Sequence, residues 1–259
     1  MRVSAAPVGL GVCVLFLGGL ASPAAAQGGE LTPVRPSTAA GARADGVFER
    51  AGDLRGGELG AGAFGSVAPL PWLELGAALG ARASWVGLRD GARRGRVGLV
   101  PVALTVGAGR SWSSVSFAVR LRGGAGPGVV GAEGAGSNGE RAFAQLEGAL
   151  GWARGGFDGR LGVRGAYALS GSSGHGGLGS RLSLSWARPG WRLRPFASGW
   201  VVVASDLGWG ASGELGVLAS LGRHSIRLAL RGPLAPVGQW FGVSVGWRVD
   251  LEGRSDLRP

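Results

Sequence analysis

Cysteine, lysine and histidine are nearly missing from this chain of 259 residues. It contains one cysteine, no lysine and two histidines. The cysteine, Cys13, falls in an N-terminal stretch that we expect to be removed, so the exported chain has no thiol. This excludes a disulfide scaffold, a cysteine nucleophile and a cysteine-based metal site. Because only His175 and His224 are left as imidazole ligands, we expect no metal and no other cofactor.

Long apolar runs are also scarce, and the clearest one lies at the N-terminus. Arg2 supplies a positive charge, Val8–Leu20 is apolar, and Ser22–Ala26 offers the small residues that a signal peptidase requires. The apolar run is shorter than the ~20 residues of a membrane-spanning helix. We therefore predict that residues 1–26 are a signal peptide and that the exported chain begins at Gln27.

Positive charge outweighs negative charge throughout the chain. All 27 basic residues are arginine, against 16 acidic residues, and the net charge is +11. The arginines occur singly and do not form the basic tract that is typical of nucleic-acid-binding proteins. We therefore predict no nucleic-acid partner. For an exported chain, anionic lipopolysaccharide or a small anionic solute is the better-placed partner.

Glycine is abundant, at 54 residues, and glycine-rich chains without a G-X-Y period are often disordered. Here the hydrophobic residues argue against disorder because they follow a regular period. Apolar residues alternate with polar or small ones in Leu73–Trp85, Val115–Arg122, Phe157–Leu169 and Phe241–Leu251. A period of two predicts β-strands with one apolar face.

Weaker alternation extends this pattern to most of the chain, with further segments near 57–67, 96–107, 142–153, 178–188, 191–204, 212–221 and 225–231. Most are about as long as the ~9–11 residues of a tilted membrane strand. Short and long connections alternate between these segments, as do the periplasmic turns and extracellular loops of outer-membrane barrels. Both termini are then periplasmic only if one more strand precedes the first segment, and Gly46–Gly52 is the best candidate. We predict twelve strands, with ten as the alternative. Pro101 and Pro195 predict a bulge or a shifted boundary within their strands.

A soluble barrel turns its apolar face inward, whereas a membrane barrel turns it outward. Small residues and charges on the polar face favour the second arrangement. So do aromatic residues near the strand ends, as in interfacial girdles: Trp85, Trp152, Phe157, Trp186, Trp191 and Phe241. We predict a barrel over residues 45–252, a periplasmic leader over 27–44 and a polar tail over 253–259.

These patterns resemble the broad class of Gram-negative outer-membrane β-barrel proteins, over essentially all of the exported chain but without a specific motif. The resemblance implies an all-β, antiparallel, up-and-down transmembrane barrel that is surrounded by outer-membrane lipid and lipopolysaccharide. One feature departs from the class. Its members commonly end on an aromatic residue that the assembly machinery reads, whereas this chain continues past Trp247 to Pro259.

In such a barrel the polar face lines the lumen. The alternation assigns to it the basic residues Arg82, Arg120, Arg122, Arg160, Arg164, Arg181, Arg192, Arg194, Arg227, Arg231 and Arg248, and the acidic residues Glu58, Glu74, Glu147, Asp158, Glu214 and Asp250. Two interpretations follow. The lumen is either water-filled with a positive potential that favours anions, or narrow and filled by a structural ion-pair network.

No catalytic constellation is visible in the sequence. We place His175 in an extracellular loop, Ser170–Gly177, and His224 on the periplasmic side, so the two cannot share a site. We predict a protein that is not an enzyme but a structural or porin-like passive barrel for small solutes or anions. The alternatives are a surface-exposed binding protein acting through its extracellular loops, chiefly 123–141, and a soluble exported β protein.

Overall fold

The computed structural model describes residues 34, 36–51, 54–87, 93–126, 129–131, 140–170, 173–186, 191–204, 208–235 and 239–251. The predicted signal peptide and the polar tail lie outside these residues. None of the described residues forms a helix that is long and apolar enough to cross a membrane.

The described residues form strands with short breaks between them. The strands are β1 Ala39–Ala51, β2 Leu54–Leu70, β3 Leu73–Gly87, β4 Arg93–Trp112, β5 Val115–Ala125, β6 Val129–Gly131, β7 Glu140–Arg154, β8 Phe157–Ser170, β9 Ser173–Trp186, β10 Leu193–Ala204, β11 Gly208–Leu221, β12 His224–Ala235 and β13 Gln239–Asp250. The alternating side chains explain why this chain forms strands, because successive residues of a strand point to opposite faces. Glycine by itself weakens a strand, and several glycines here lie where a neighbouring ring or backbone approaches closely.

Twelve of these strands close into an antiparallel barrel. Each pairs with the next along the chain, with β5 adjoining β7, and β1 pairs with β13 through twelve partners from Ala39 to Arg50, which seals the ring. The short β6 is not part of this ring of twelve and pairs antiparallel with the first half of β4, opposite Arg96–Gly98. The prediction of twelve strands in an up-and-down barrel is confirmed.

Several strands extend further than the alternation indicated. β1 begins at Ala39 and not at Gly46, so the end of the predicted leader is already strand. β8 reaches Ser170 and β9 begins at Ser173, which places His175 in a strand and leaves a two-residue connection. The predicted contrast between short and long connections is therefore weaker than expected. Glycine and serine continue the backbone ladder without contributing an apolar alternation, which is why the sequence marks these ends poorly.

The two prolines behave differently. At Pro101 the pairing of β4 with β3 shifts register, because two residues of β4 stand opposite one of β3 between Val100 and Ala103. This is the bulge that the sequence predicted. Pro195 causes no shift, since β10 keeps its register with β11 through that residue, and pairing with β9 begins at the next one, Phe196.

The apolar face of the strands points outward. In β5, Phe117, Val119 and Leu121 are exposed, whereas Arg120 and Arg122, which alternate with them, are buried. Leucine, valine and aromatic side chains are exposed on the outside of every one of the twelve barrel strands. This distribution is the reverse of that in a soluble barrel and matches the predicted inversion.

Aromatic residues gather at both rims of this outer surface. At the rim with the turns 71–72, 113–114 and 155–156, the ring of Trp186 lies 6.2 Å from that of Phe157 and 5.3 Å from that of Trp191. At the opposite rim, Phe48 stacks on Phe241 at 5.1 Å and meets Trp85 edge-on. The predicted girdle residues thus separate into two groups, one at each end of the barrel.

Candidate functional site in the barrel interior

The charged residues that the alternation singled out lie on the strands at positions that face the barrel interior. They are Glu74 and Arg82 on β3, Arg120 and Arg122 on β5, Glu147 on β7, Asp158, Arg160 and Arg164 on β8, Arg181 on β9, Arg194 on β10, Glu214 on β11, Arg227 on β12 and Arg248 on β13. Glu58, Arg231 and Asp250 face the same way. Arg192 does not, because it precedes β10 and is exposed.

Two interior residues, Arg43 and Asp45, were not predicted. They lie on β1, Arg43 inside the segment that we interpreted as leader and Asp45 directly after it, and Arg43 Nε is 3.8 Å from the Asp45 carboxylate. Their outward neighbours are Ala42 and Ala44, which are too weakly apolar to produce a strong alternation. The pattern that could have predicted this part of the strand is a charged residue at every second position, with small residues between them.

The densest part of the interior is a group of arginines around Glu214. This carboxylate accepts contacts from Arg181 at 2.9 Å, Arg227 at 2.5 Å and Arg231 at 2.9 Å. Glu214 and Arg227 are each only 2% exposed. Aromatic rings complete the packing, since the Arg227 guanidinium lies 4.6 Å from the ring centre of Phe196. One carboxylate therefore pairs with three guanidinium groups. Side chains fill this part of the barrel.

Four further interior carboxylates each have an arginine from a different strand. Glu58 pairs with Arg82 at 2.8 Å, Glu74 with Arg120 at 3.1 Å and Glu147 with Arg160 at 3.1 Å. Asp158 pairs with Arg194. Arginines outnumber carboxylates along the described inner face, so its net charge is positive.

A cavity opens on the other side of the interior. Its empty space is about 550 Å³, including the part that is open to solvent, and its charged and polar lining includes Glu74, Thr105, Arg120, Arg122, Glu147 and Arg248. Three of these six side chains are arginines from β5 and β13. The cavity is thus lined by charged and polar side chains together with apolar surface, as from Phe64.

The residues before β1 cross the barrel near the rim where the chain enters. Arg248 donates a hydrogen bond to Ser37 Oγ at 2.8 Å, and Ser66 donates one to the Ser37 carbonyl at 2.9 Å. The side chain of Val34 lies against Gly151 on β7, which is five strands away from β1 around the ring. Residues 34 and 36–38, which we call the N-terminal strap, therefore reach across the interior and narrow this end.

The histidines do not form a site. His224 lies beside the turn 222–223 and accepts a hydrogen bond from Trp247 Nε1 at 3.2 Å, whereas His175 lies next to the connection 171–172 at the opposite rim. Within the part of the chain that the structure describes, no three His, Cys, Asp or Glu side chains are arranged to hold a metal ion. The prediction that the protein is not an enzyme stays a prediction.

Known structures resemble this barrel over most of its length. The translocator domain of the autotransporter NalP from Neisseria meningitidis matches with a TM-score of 0.55 and 13% identity, covering 93% of this chain and 97% of that one. An outer-membrane channel from Pseudomonas putida F1 matches at 0.60 and 13%, covering 85% and 98%. The β domain of the Bordetella autotransporter BrkA matches at 0.53 and 17%, covering 83% and 100%.

No protein-family model matches the sequence, and no curated protein matches it. At these identities the structural likeness defines the fold alone. The chain therefore has the fold of outer-membrane β-barrel proteins, as its alternation predicted.

Proposed function

We propose that this protein is an outer-membrane barrel that acts as a narrow passive pore with a preference for small anions. Its outer surface supports the location. On β8, the exposed residues Phe157 and Tyr167 are ten positions apart, which corresponds to about 33 Å along the strand. With a tilt of about 40°, their separation along the barrel axis is about 25 Å, the height of the apolar band of such barrels.

The excess of interior arginines over interior carboxylates is the observation that supports the proposed selectivity for anions. Field lines from these guanidinium groups are confined by the apolar wall, which raises the local concentration of anions and lowers that of cations. Lipid and lipopolysaccharide would surround the barrel, and the dissolved partners would be small anionic solutes. The limited cavity and the N-terminal strap support a pore for small species only.

Planar-bilayer recording on the refolded protein tests this proposal. We expect small conductance steps, and a reversal potential in a KCl gradient that indicates preferred passage of chloride. The preference should weaken as salt is raised, because screening shortens the reach of the charges. Absence of conductance steps in repeated insertions would contradict the pore.

A pair of variants ties the selectivity to the interior. Arg164→Gln removes an interior charge, while Glu147 keeps Arg160 as its partner. Arg110→Gln removes a charge from the exposed side of β4, where the guanidinium lies 5.5 Å from the Trp112 ring. We expect the first variant to reduce the anion preference and the second to leave it unchanged. Equal effects would indicate that the interior charge does not set the selectivity.

A structural role in the envelope is the second candidate. The packed arginines around Glu214 and the strap across one rim favour it, because both fill space that a solute would use. A protein that refolds, shows heat-modifiable mobility in gels and gives no conductance would support this role. Binding through extracellular loops remains a further prediction, since residues 127–128 and 132–139 of the proposed loop 123–141 lie outside the described residues.

A further inference from the structure

We propose that Arg122 and Thr105 form a binding site for one small oxyanion, such as phosphate or a carboxylate, in the cavity of the barrel. The two residues are cross-strand partners on β5 and β4 and both line the cavity. The site rests on the proposed function in one respect, because an anion reaches it only through an open end of the barrel.

The first observation is that one edge of the buried Arg122 guanidinium has no hydrogen-bond partner within the described ranges. The residue is 5% exposed, and its Nε and Nη2 atoms have no hydrogen-bond partner among the described residues. These two N–H groups form one edge of the planar fork, which matches the spacing of two oxygens of a carboxylate or phosphate. A buried charged edge without an acceptor is costly, and an oxyanion would satisfy both donors at once.

Thr105, the cross-strand partner of Arg122, supplies a third polar group in the lining of the same cavity. Its hydroxyl is also buried and has no hydrogen-bond partner in the part of the chain that the structure describes. A hydroxyl donates one hydrogen bond, so it can complete the coordination of an oxygen already held by the guanidinium. Two independent unsatisfied groups on neighbouring strands thus converge on the same cavity.

The surroundings leave the Arg122 edge for a ligand. The two carboxylates that line the cavity are each engaged by another arginine, Glu74 by Arg120 and Glu147 by Arg160. The ring centre of Phe143 lies 5.7 Å from Arg122 Cζ, and this cation–π contact, together with burial, restricts the guanidinium. Because the buried side chain is already restricted, binding loses little side-chain entropy.

Isothermal titration calorimetry on the refolded full-length protein in detergent, at constant chloride concentration, tests the site with inorganic phosphate in one arm and acetate in the other. We expect binding of at least one of the two at one anion per chain. Arg122→Gln should weaken that binding at least tenfold, and Thr105→Val should weaken it several-fold. The control Arg110→Gln, on the outer face, should bind as the unmodified protein does.

Arg122→Lys separates the site from a diffuse positive field. Lysine keeps the charge but lacks the two-pronged edge, so we expect it to bind more weakly than arginine. The proposed site is contradicted if Arg122→Lys or Arg122→Gln binds the anion as tightly as the unmodified protein does, or if neither anion binds to the unmodified protein. Heat-modifiable gel mobility confirms folding of each variant, and Thr105→Val tests the site should the arginine variants not fold.

The site and the pore can fail separately. Conductance without binding of either anion would overturn the site and leave the pore. Binding that depends on Arg122 without conductance would support the site and overturn the pore, leaving a structural barrel with an anion in its interior.

Discussion

Glu214 illustrates how single residues determine the stability of the interior. Three arginines from β9 and β12 meet on this one carboxylate, and its side chain is 1% exposed. A buried ion pair is not by itself strongly stabilising, but removal of one partner leaves the others without compensation. Loss of this carboxylate would therefore leave three guanidinium groups facing one another in a space that excludes most water.

Glu214→Gln should consequently lower the free energy of unfolding by about 3 kcal/mol, as for the removal of one member of a buried ion pair. The substitution keeps the shape of the side chain and changes only its charge. Urea unfolding of the protein in lipid vesicles would measure the change.

Asp158→Asn is the matched control for this experiment. It also neutralises an interior carboxylate that pairs with an arginine, but the Asp158 side chain is 37% exposed. Exposed pairs are worth about 0–1 kcal/mol, so we expect a small effect. Equal losses in the two variants would show that burial does not set the importance of these pairs.

At the scale of elements, the high glycine content has a packing role. Aromatic rings lie directly over glycines of the neighbouring strand, as Trp152 of β7 does over Gly159 of β8. A Cβ atom at Gly159 would overlap the indole ring. Such pairs bring an aromatic face onto the backbone of the next strand and compensate for the missing side chain. Adjacent strands are thereby held together on the outer surface of the barrel.

Gly159→Ala should therefore displace Trp152 and lower the free energy of unfolding by about 1–3 kcal/mol, as for overpacking of a well-filled space. Gly148→Ala is the control, because it also lies on the outer face, on β7, and a Cβ there would meet no atom within 4 Å. Urea unfolding in vesicles compares the two. A loss as large at Gly148 would mean that glycine itself, and not the ring above it, is required.

At the scale of the whole molecule, the N-terminal strap determines how open one rim is. It joins strands that are far apart in the ring, since it contacts β13 and β2 through Ser37 and β7 through Val34. The strap therefore connects distant strands of the ring and also narrows the opening at this rim. Its position can be tested because the predicted exported chain, from Gln27 onward, has no cysteine.

The double variant Val34→Cys with Gly151→Cys should form a disulfide when oxidised. Val34 Cβ lies 3.3 Å from the position of a Cβ at residue 151, close to the separation of roughly 3.5–4.5 Å in disulfides. We expect oxidation to leave the conductance as small as that of the unmodified protein, and reduction to leave it equal or larger. Failure to form the bond in the folded protein would contradict the position of the strap.

The sequence by itself determined the architecture of this protein. Alternation in β3, β5, β8 and β13 is a local property, because successive side chains of a strand point to opposite faces whatever the partner is. The same property assigned Arg120, Glu214 and the other charges to the inner face. The strand count followed from connection lengths, although glycine- and serine-rich ends such as Ser173 were assigned to loops, since they carry no apolar side chain to mark a face.

Only the tertiary structure decided which interior groups meet. Arg181 and Glu214 belong to strands that are two apart, and Ser37 meets Arg248 across 211 positions of sequence. Such contacts depend on the register of each strand pair and on the curvature of the closed ring, which no short segment encodes. The register of the β4–β5 hairpin made Thr105 the cross-strand partner of Arg122, and closure of the ring carried the strap across the rim.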